Sequence, residues 1–181
     1  EAFHGNAYIG IGVALYNDNR EYLSVKLSQP LSAGNQYCVR FYVSLADSVY
    51  YGSHNIGAFF SEDSLSLNTT NALLLDPQVT NPMGDFITDK SGWTLISGSF
   101  EADGGEEYLT IGNFQNDSNT DTIALVQQSS MSNNNYMGAY YYVDSVSVTS
   151  CSQSSINEFV QNFFYSVSPN PAIDVITITH T

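Results

Sequence analysis

The chain has 181 residues, with 18 acidic and only 4 basic side chains, for a net charge of −14. That length suits one domain with a sizeable core plus a fragment. The charge works against nucleic acid and anionic membrane surfaces, which would repel it at every approach, and suits divalent cations and neutral ligands such as sugars. Thirteen Tyr and ten Phe against one Trp favour β structure. No apolar run approaches the ~20 residues of a membrane-spanning helix. With no initiator Met and no signal peptide, the sequence reads as processed, trimmed or internal to something larger.

Period-2 alternation runs through most of the chain. From Ala7 to Leu15 the odd positions carry Ala7, Ile9, Ile11, Val13 and Leu15, and the even ones Tyr8, Gly10, Gly12 and Ala14. Asn17-Asp18-Asn19 is a turn cluster. Tyr22 to Leu27 alternates again, until Pro30 and Ser32-Ala33-Gly34-Asn35 break it. Tyr37 to Ala46 is the cleanest strand: Tyr37, Val39, Phe41, Val43 and Leu45 share one face, Cys38, Arg40, Tyr42 and Ser44 the other. Asn55 to Ser61 follows. Residues 62–90 are polar and irregular, and a stretch this long inside a domain is expected to carry function or a short extra element. Trp93 to Phe100, Tyr108 to Phe114, Ile123 to Val126 and Tyr140 to Thr149 complete the set, with Val146 and Val148 inward and Trp93 read as core. The best helix candidate, 156–163, is weakened by Asn and β-branched residues. About eight strands separated by turn signals predict an all-β fold, an antiparallel two-sheet β-sandwich spanning residues 1–150.

Several pieces carry a resemblance: Arg20-Glu21-Tyr22-Leu23, Leu31 to Phe41, Ser44-Leu45-Ala46-Asp47, Gly92 to Phe100, Ile111-Gly112-Asn113-Phe114 and Tyr141 to Val148. In order and spacing they are similar to the galactose-binding-type jelly roll of secreted bacterial proteins, shared by many carbohydrate-binding modules. The resemblance covers about residues 5–149. It implies a jelly roll and, in many members, a structural calcium held by an acid of the closing strand and backbone oxygens near the first strands. Asp144 is the matching acid, with Asp47 and Asn6 as candidate co-ligands. Members often carry a second Asp where this chain has Ser145, which weakens the inference. The residues by themselves say that Asp144 sits mid-strand in an apolar run, where a lone carboxylate is costly, so it needs a cation, several donors or an arginine, Arg20 or Arg40.

Ser166-Val167-Ser168-Pro169-Asn170-Pro171-Ala172-Ile173-Asp174-Val175-Ile176-Thr177-Ile178 resembles the opening of the C-terminal sorting domain of type IX secretion cargo in the Bacteroidetes. Two prolines remove two N–H donors, so strand pairing must stop there before a β pattern restarts. The resemblance implies an extracellular or cell-surface location and a partner in the secretion machinery. Residues 151–165 then read as a linker and 166–181 as an incomplete sorting domain.

No catalytic centre is legible. The three histidines, His4, His54 and His180, belong to no nucleophile elbow and no His-Glu-x-x-His spacing. Glu106-Glu107 beside Gly104-Gly105 reads as a solvated turn. Sugar binding uses aromatic faces with planar polar groups for the hydroxyls. The outward residues Arg40 and Tyr42, with Tyr22 nearby and Tyr140-Tyr141 at an edge, fit that role, or simply pair as cross-strand tyrosines. Self-association as a surface building block is the alternative use of the same fold. Cys38 and Cys151 both lie on outward parity. They meet if their strands pair antiparallel, and otherwise stay as two thiols.

Overall fold

The computed structural model describes residues 1–15, 17–65, 71–125 and 138–151, and two strands at 165–168 and 177–180. The contacts divide the chain into two units, Glu1–Cys151 and Ser152–Thr181. Among the described residues the first holds ten strands: β1 (Ile9–Ala14), β2 (Leu23–Lys26), β3 (Gln36–Leu45), β4 (Tyr51–Ser53), β5 (Ile56–Ser61), β6 (Val79–Thr80), β7 (Thr94–Glu101), β8 (Tyr108–Asn113), β9 (Thr122–Ala124) and β10 (Ala139–Ser150). Among the described residues the one helical element is a 3-10 turn, Asp117–Asn119.

Two four-stranded antiparallel sheets form the sandwich. The front sheet runs β1-β10-β3-β7 and the back sheet β2-β8-β5-β6. In chain order the strands cross from sheet to sheet except at β5–β6, the double Greek-key path of a jelly roll. A separate ribbon pairs β4 with β9.

Strand β3 is central, and its alternation decides the core. Val39, Phe41, Val43 and Leu45 are fully buried and Tyr37 nearly so. They face Ile56, Ala58 and Phe60 of β5 and Leu109 and Ile111 of β8, with Ile11, Val13, Tyr141, Val143 and Ile96 filling the flanks. Each large side chain so buried contributes about 1.5–3 kcal/mol. Residues 62–90 do supply a short extra element, β6. Asn81 secures it: its Oδ1 accepts the Ile56 N–H at 2.7 Å and its Nδ2 donates to the Asp85 carbonyl at 2.9 Å.

The structure departs from simple parity in three places. Val146 is 39 % exposed, not inward. The β10–β3 register slips between Asp144, opposite Tyr42, and Ser147, opposite Arg40. Ser145, at φ 51°, is the extra residue of a β-bulge, so Val148 rather than Val146 turns in toward Val39. Tyr141 is not an edge aromatic. It is fully buried, its hydroxyl accepting from Ser53 N at 2.8 Å and donating to the Ile87 carbonyl at 2.7 Å, so it ties β10 to β4. Glu106 is buried too, accepting the Asp103 and Gly104 N–H groups at 2.9 Å each. Only its neighbour Glu107 meets solvent, paired with Lys26 at 2.6 Å.

Cys38 and Cys151 are joined by a disulfide. Thr149 stands opposite Cys38, and Cys151 donates its N–H to Gln36 at 2.9 Å, which carries the β3–β10 ladder to the sulfur bridge. In the second unit β11 (Tyr165–Ser168) and β12 (Thr177–His180) pair as an antiparallel hairpin, Tyr165 opposite His180 and Ser168 opposite Thr177. The Pro-Asn-Pro segment and the helix candidate at 156–163 lie outside the described residues.

The bridge closes a sequence separation of 113 residues. On the chain-entropy relation that restricts the unfolded state by ~4–5 kcal/mol. The Cys38→Ser/Cys151→Ser double variant should therefore lose up to that much unfolding free energy in urea denaturation. An unchanged midpoint would show that the bridge leaves the unfolded state unrestricted.

Candidate functional site

The inward register of β3 forces its other residues onto the outer face of the front sheet. Arg40 and Tyr42 stand there beside Tyr140 and Tyr142 of β10. On β7, Ile96 faces the core opposite Phe41, so Leu95 and the preceding Trp93 face outward. Trp93 is thus only partly buried rather than core, because it lies on the parity opposite to Ile96. The turn before it is held by Asp89, whose Oδ1 accepts the Gly92 and Ser91 N–H groups at 2.9 Å each. Those bonds, Gly92's first, hold the Asp89 carboxyl below its usual range.

Tyr8 and Phe3, from the segment ahead of β1, add two more rings. Together the six form an unbroken run. Tyr140 meets Tyr142 at 6.2 Å, Tyr142 meets Tyr8 at 4.7 Å, Tyr8 meets Trp93 at 5.9 Å and Trp93 meets Phe3 at 6.3 Å. The run ends with Phe3 stacked on Tyr42, centroids 3.8 Å apart and planes 19° apart. Gly10 makes room at one end: a Cβ there would lie 2.5 Å from the Tyr140 ring. Phe3 and Tyr8 are each 46 % exposed and Leu95 is 40 % exposed, so this is an open apolar surface. Arg40 borders it, exposed between Ser97 and Ser147, with no hydrogen bond or ion pair among the described residues.

Asp144 lies at the middle of this face and takes the several-donors option. Its Oδ2 accepts the Phe3 N–H at 2.8 Å and the His4 N–H at 3.2 Å, while its Oδ1 accepts from Ser145 N. The last bond supports the left-handed backbone of Ser145 at the bulge. Neither arginine pairs with Asp144. Asp47 does not join it: Asp144 sits opposite Tyr42, five residues back along the chain, which at the extended-strand rise is about 16 Å away. The Asp47 carbonyl accepts from Lys90 Nζ at 3.0 Å, and its side chain is exposed. Asn6 is exposed in the leading segment. Asp47 and Asp144 thus do not converge, and among the described residues no hydrogen bond joins the Asn6 side chain to either. Among the described residues no group of three or more His, Cys, Asp or Glu could hold a metal ion.

Tyr22 also stands apart from Arg40 and Tyr42, because β2 belongs to the back sheet. Its hydroxyl donates to the Asn113 carbonyl at 2.9 Å and accepts from Leu73 N at 2.8 Å, and its ring packs on Phe114 at 5.3 Å. Buried Arg20 binds Asp117 at 2.9 Å, pinning the 3-10 turn to the turn before β2. Tyr22 and Arg20 are therefore builders of the loop end. A groove of about 310 Å³ opens nearby, lined by Asn55, Pro77, Thr80, Met83, Gln115 and Asn119. His54 is buried beside Phe86, with ring centroids 5.1 Å apart, and neither ring nitrogen has a hydrogen-bond partner among the described residues.

Sequence reasoning placed Arg40 and Tyr42 on one face, where the structure has them, and Tyr140 at an edge, whereas it stands on that same face on the inner strand β10. It missed Phe3, Tyr8, Tyr142 and Trp93 as members. The even-position tyrosines of β10 were a usable signal, but nothing local shows that Phe3 folds back over Tyr42. Neither protein-family models nor curated proteins give a match to this chain.

The buried phenols set an alkaline limit. Desolvation raises the Tyr22 and Tyr141 hydroxyls above their ordinary value near 10. The folded protein therefore holds these protons more tightly than the unfolded chain. The associated stability is complete below about pH 10 and is lost as pH rises past it. Alkaline unfolding followed by circular dichroism should show a steep loss above that point, and Tyr22→Phe should make it shallower while costing about 1–2 kcal/mol at neutral pH.

Proposed function

We propose that residues 1–151 form a non-catalytic binding module that works outside the cell and holds neutral glycan, or another surface ligand with flat apolar faces, on the outer face of the front sheet. The rings that the front sheet itself turns outward, Tyr42, Trp93, Tyr140 and Tyr142, joined by Tyr8 and bordered by Arg40, which has no side-chain partner among the described residues, carry this reading. Sugar rings offer C–H faces that stack on aromatic side chains, and their hydroxyls are met by planar donors such as a guanidinium. The net charge of −14 favours uncharged ligands over polyanions. A disulfide suits an oxidising compartment. The type IX sorting-domain resemblance of residues 166–178 agrees with export to the surface, and the jelly-roll path agrees with the galactose-binding-type resemblance.

Affinity electrophoresis through a panel of soluble polysaccharides, with wild type, Tyr42→Ala and Arg40→Ala, tests the reading. Wild type should be retarded by at least one neutral polysaccharide, and Tyr42→Ala should weaken that binding about 2- to 10-fold, the range of one lost stacking contact. Absence of retention on every polysaccharide, together with self-association in sedimentation, would assign the aromatic face to copies of this chain, making it a structural building block.

A further inference from the structure

We propose that Tyr42 and Asp144 form a ligand subsite which residues 1–6 of the chain fill in the free protein, so that ligand must displace this strap in order to bind. The inference rests on the reading of the front face as a glycan platform and adds its regulation.

The strap copies the contacts such a ligand would make. Phe3 lies near-parallel over Tyr42 at 3.8 Å, where the flat side of a sugar ring would stack. Phe3 and His4 direct two adjacent N–H groups at one oxygen of Asp144, at 2.8 and 3.2 Å, as a pair of neighbouring hydroxyls would. Trp93 Nε1 closes the strap by donating to the Glu1 carbonyl at 3.2 Å.

The same contacts make the strap separable. Residues 1–8 join no strand; pairing begins at Ile9, opposite Val143. The β10–β3 ladder continues beneath the strap, with Asp144 still opposite Tyr42. Lifting the segment therefore breaks no sheet hydrogen bond. Both bonds to Asp144 are solvent-exposed and Phe3 is 46 % exposed, so little buried area holds the strap down. Gly5, at φ 71°, supplies a turn just behind Phe3 and His4 that other residues rarely adopt. The Ser145 N–H remains on Asp144 after the strap leaves, which keeps the carboxylate aimed outward from the bulge. Apparent affinity is then the intrinsic affinity of the platform reduced by the fraction of molecules with the strap lifted.

The test compares wild type, Phe3→Ala, Phe3→Ala/Asp144→Asn and Tyr42→Ala by calorimetric titration with cello-, manno-, xylo- and laminarihexaose, and follows Trp93 emission without ligand. Phe3→Ala should bind about 2- to 10-fold more tightly than wild type, the range expected when one stacked ring contact is removed from a competitor. Its Trp93 emission should shift to the red as the strap leaves. In that strap-free background Asp144→Asn should weaken binding, because the oxygen that held the strap, Oδ2, is then free to contact ligand. If Phe3→Ala binds no better than wild type while Tyr42→Ala binds worse, the strap is no competitor and the glycan platform stands without it. If Asp144→Asn changes nothing in the Phe3→Ala background, Asp144 is outside the subsite. If no hexaose binds any form, or Tyr42→Ala leaves binding unchanged, the platform reading falls and takes the strap with it.

Discussion

Five alternate side chains of β3 organise this domain. Tyr37, Val39, Phe41, Val43 and Leu45 must leave water together, and in an extended backbone that requires Cys38, Arg40, Tyr42 and Ser44 to point the other way. Because β3 is paired on both sides, by β10 and β7, its parity passes to each neighbour. Tyr141 and Val143 turn in, so Tyr140 and Tyr142 turn out; Ile96 turns in, so Leu95 and Trp93 turn out. The aromatic face is the geometric complement of the core.

A second constraint refines the first. The bulge at Ser145 absorbs one residue of β10, so the strand enters opposite Leu45 in one register and leaves opposite Tyr37 in another. This slip has two consequences. It returns Val148 to the core beside Val39, and it brings Ser150 opposite Tyr37, from which Cys151 reaches Cys38. It also gives Asp144 a fixed local donor at the centre of the outer face, where an unpaired carboxylate would otherwise be costly. The disulfide and the Asp144 site are therefore both products of one irregular rung.

Two regions of the first unit divide their work. At the loop end, Arg20 with Asp117 and Tyr22 with Asn113 and Leu73 join the β1–β2 turn, the β5–β6 connection and the β8–β9 connection through charge-assisted and backbone hydrogen bonds. Those polar side chains are spent on architecture, as is Glu106 between β7 and β8. The outer face of the front sheet is different: its rings touch one another, its arginine has no partner among the described residues, and Asp144 at its centre is held by the bulge residue Ser145 and by a short segment outside the sheet. Unpaired groups on a rigid sheet are the kind that can serve a ligand without weakening the fold.

Local sequence was enough for the strand pattern, the all-β class and the inward set of β3, because period-2 alternation is a property of the extended backbone and survives any tertiary arrangement. It also put Arg40 and Tyr42 on outward parity. It could not tell which sheet a strand would join, so Tyr22 was grouped with Tyr42 although β2 lies in the back sheet. Nor could it foresee the bulge that turned Val146 outward, since a register slip depends on which partner residues compete for pairing. The parting of Asp47 from Asp144 and the folding of Phe3 onto Tyr42 were decided in three dimensions alone: contacts between residues far apart in sequence, 141 positions for Phe3 and Asp144, leave no periodic trace in the chain.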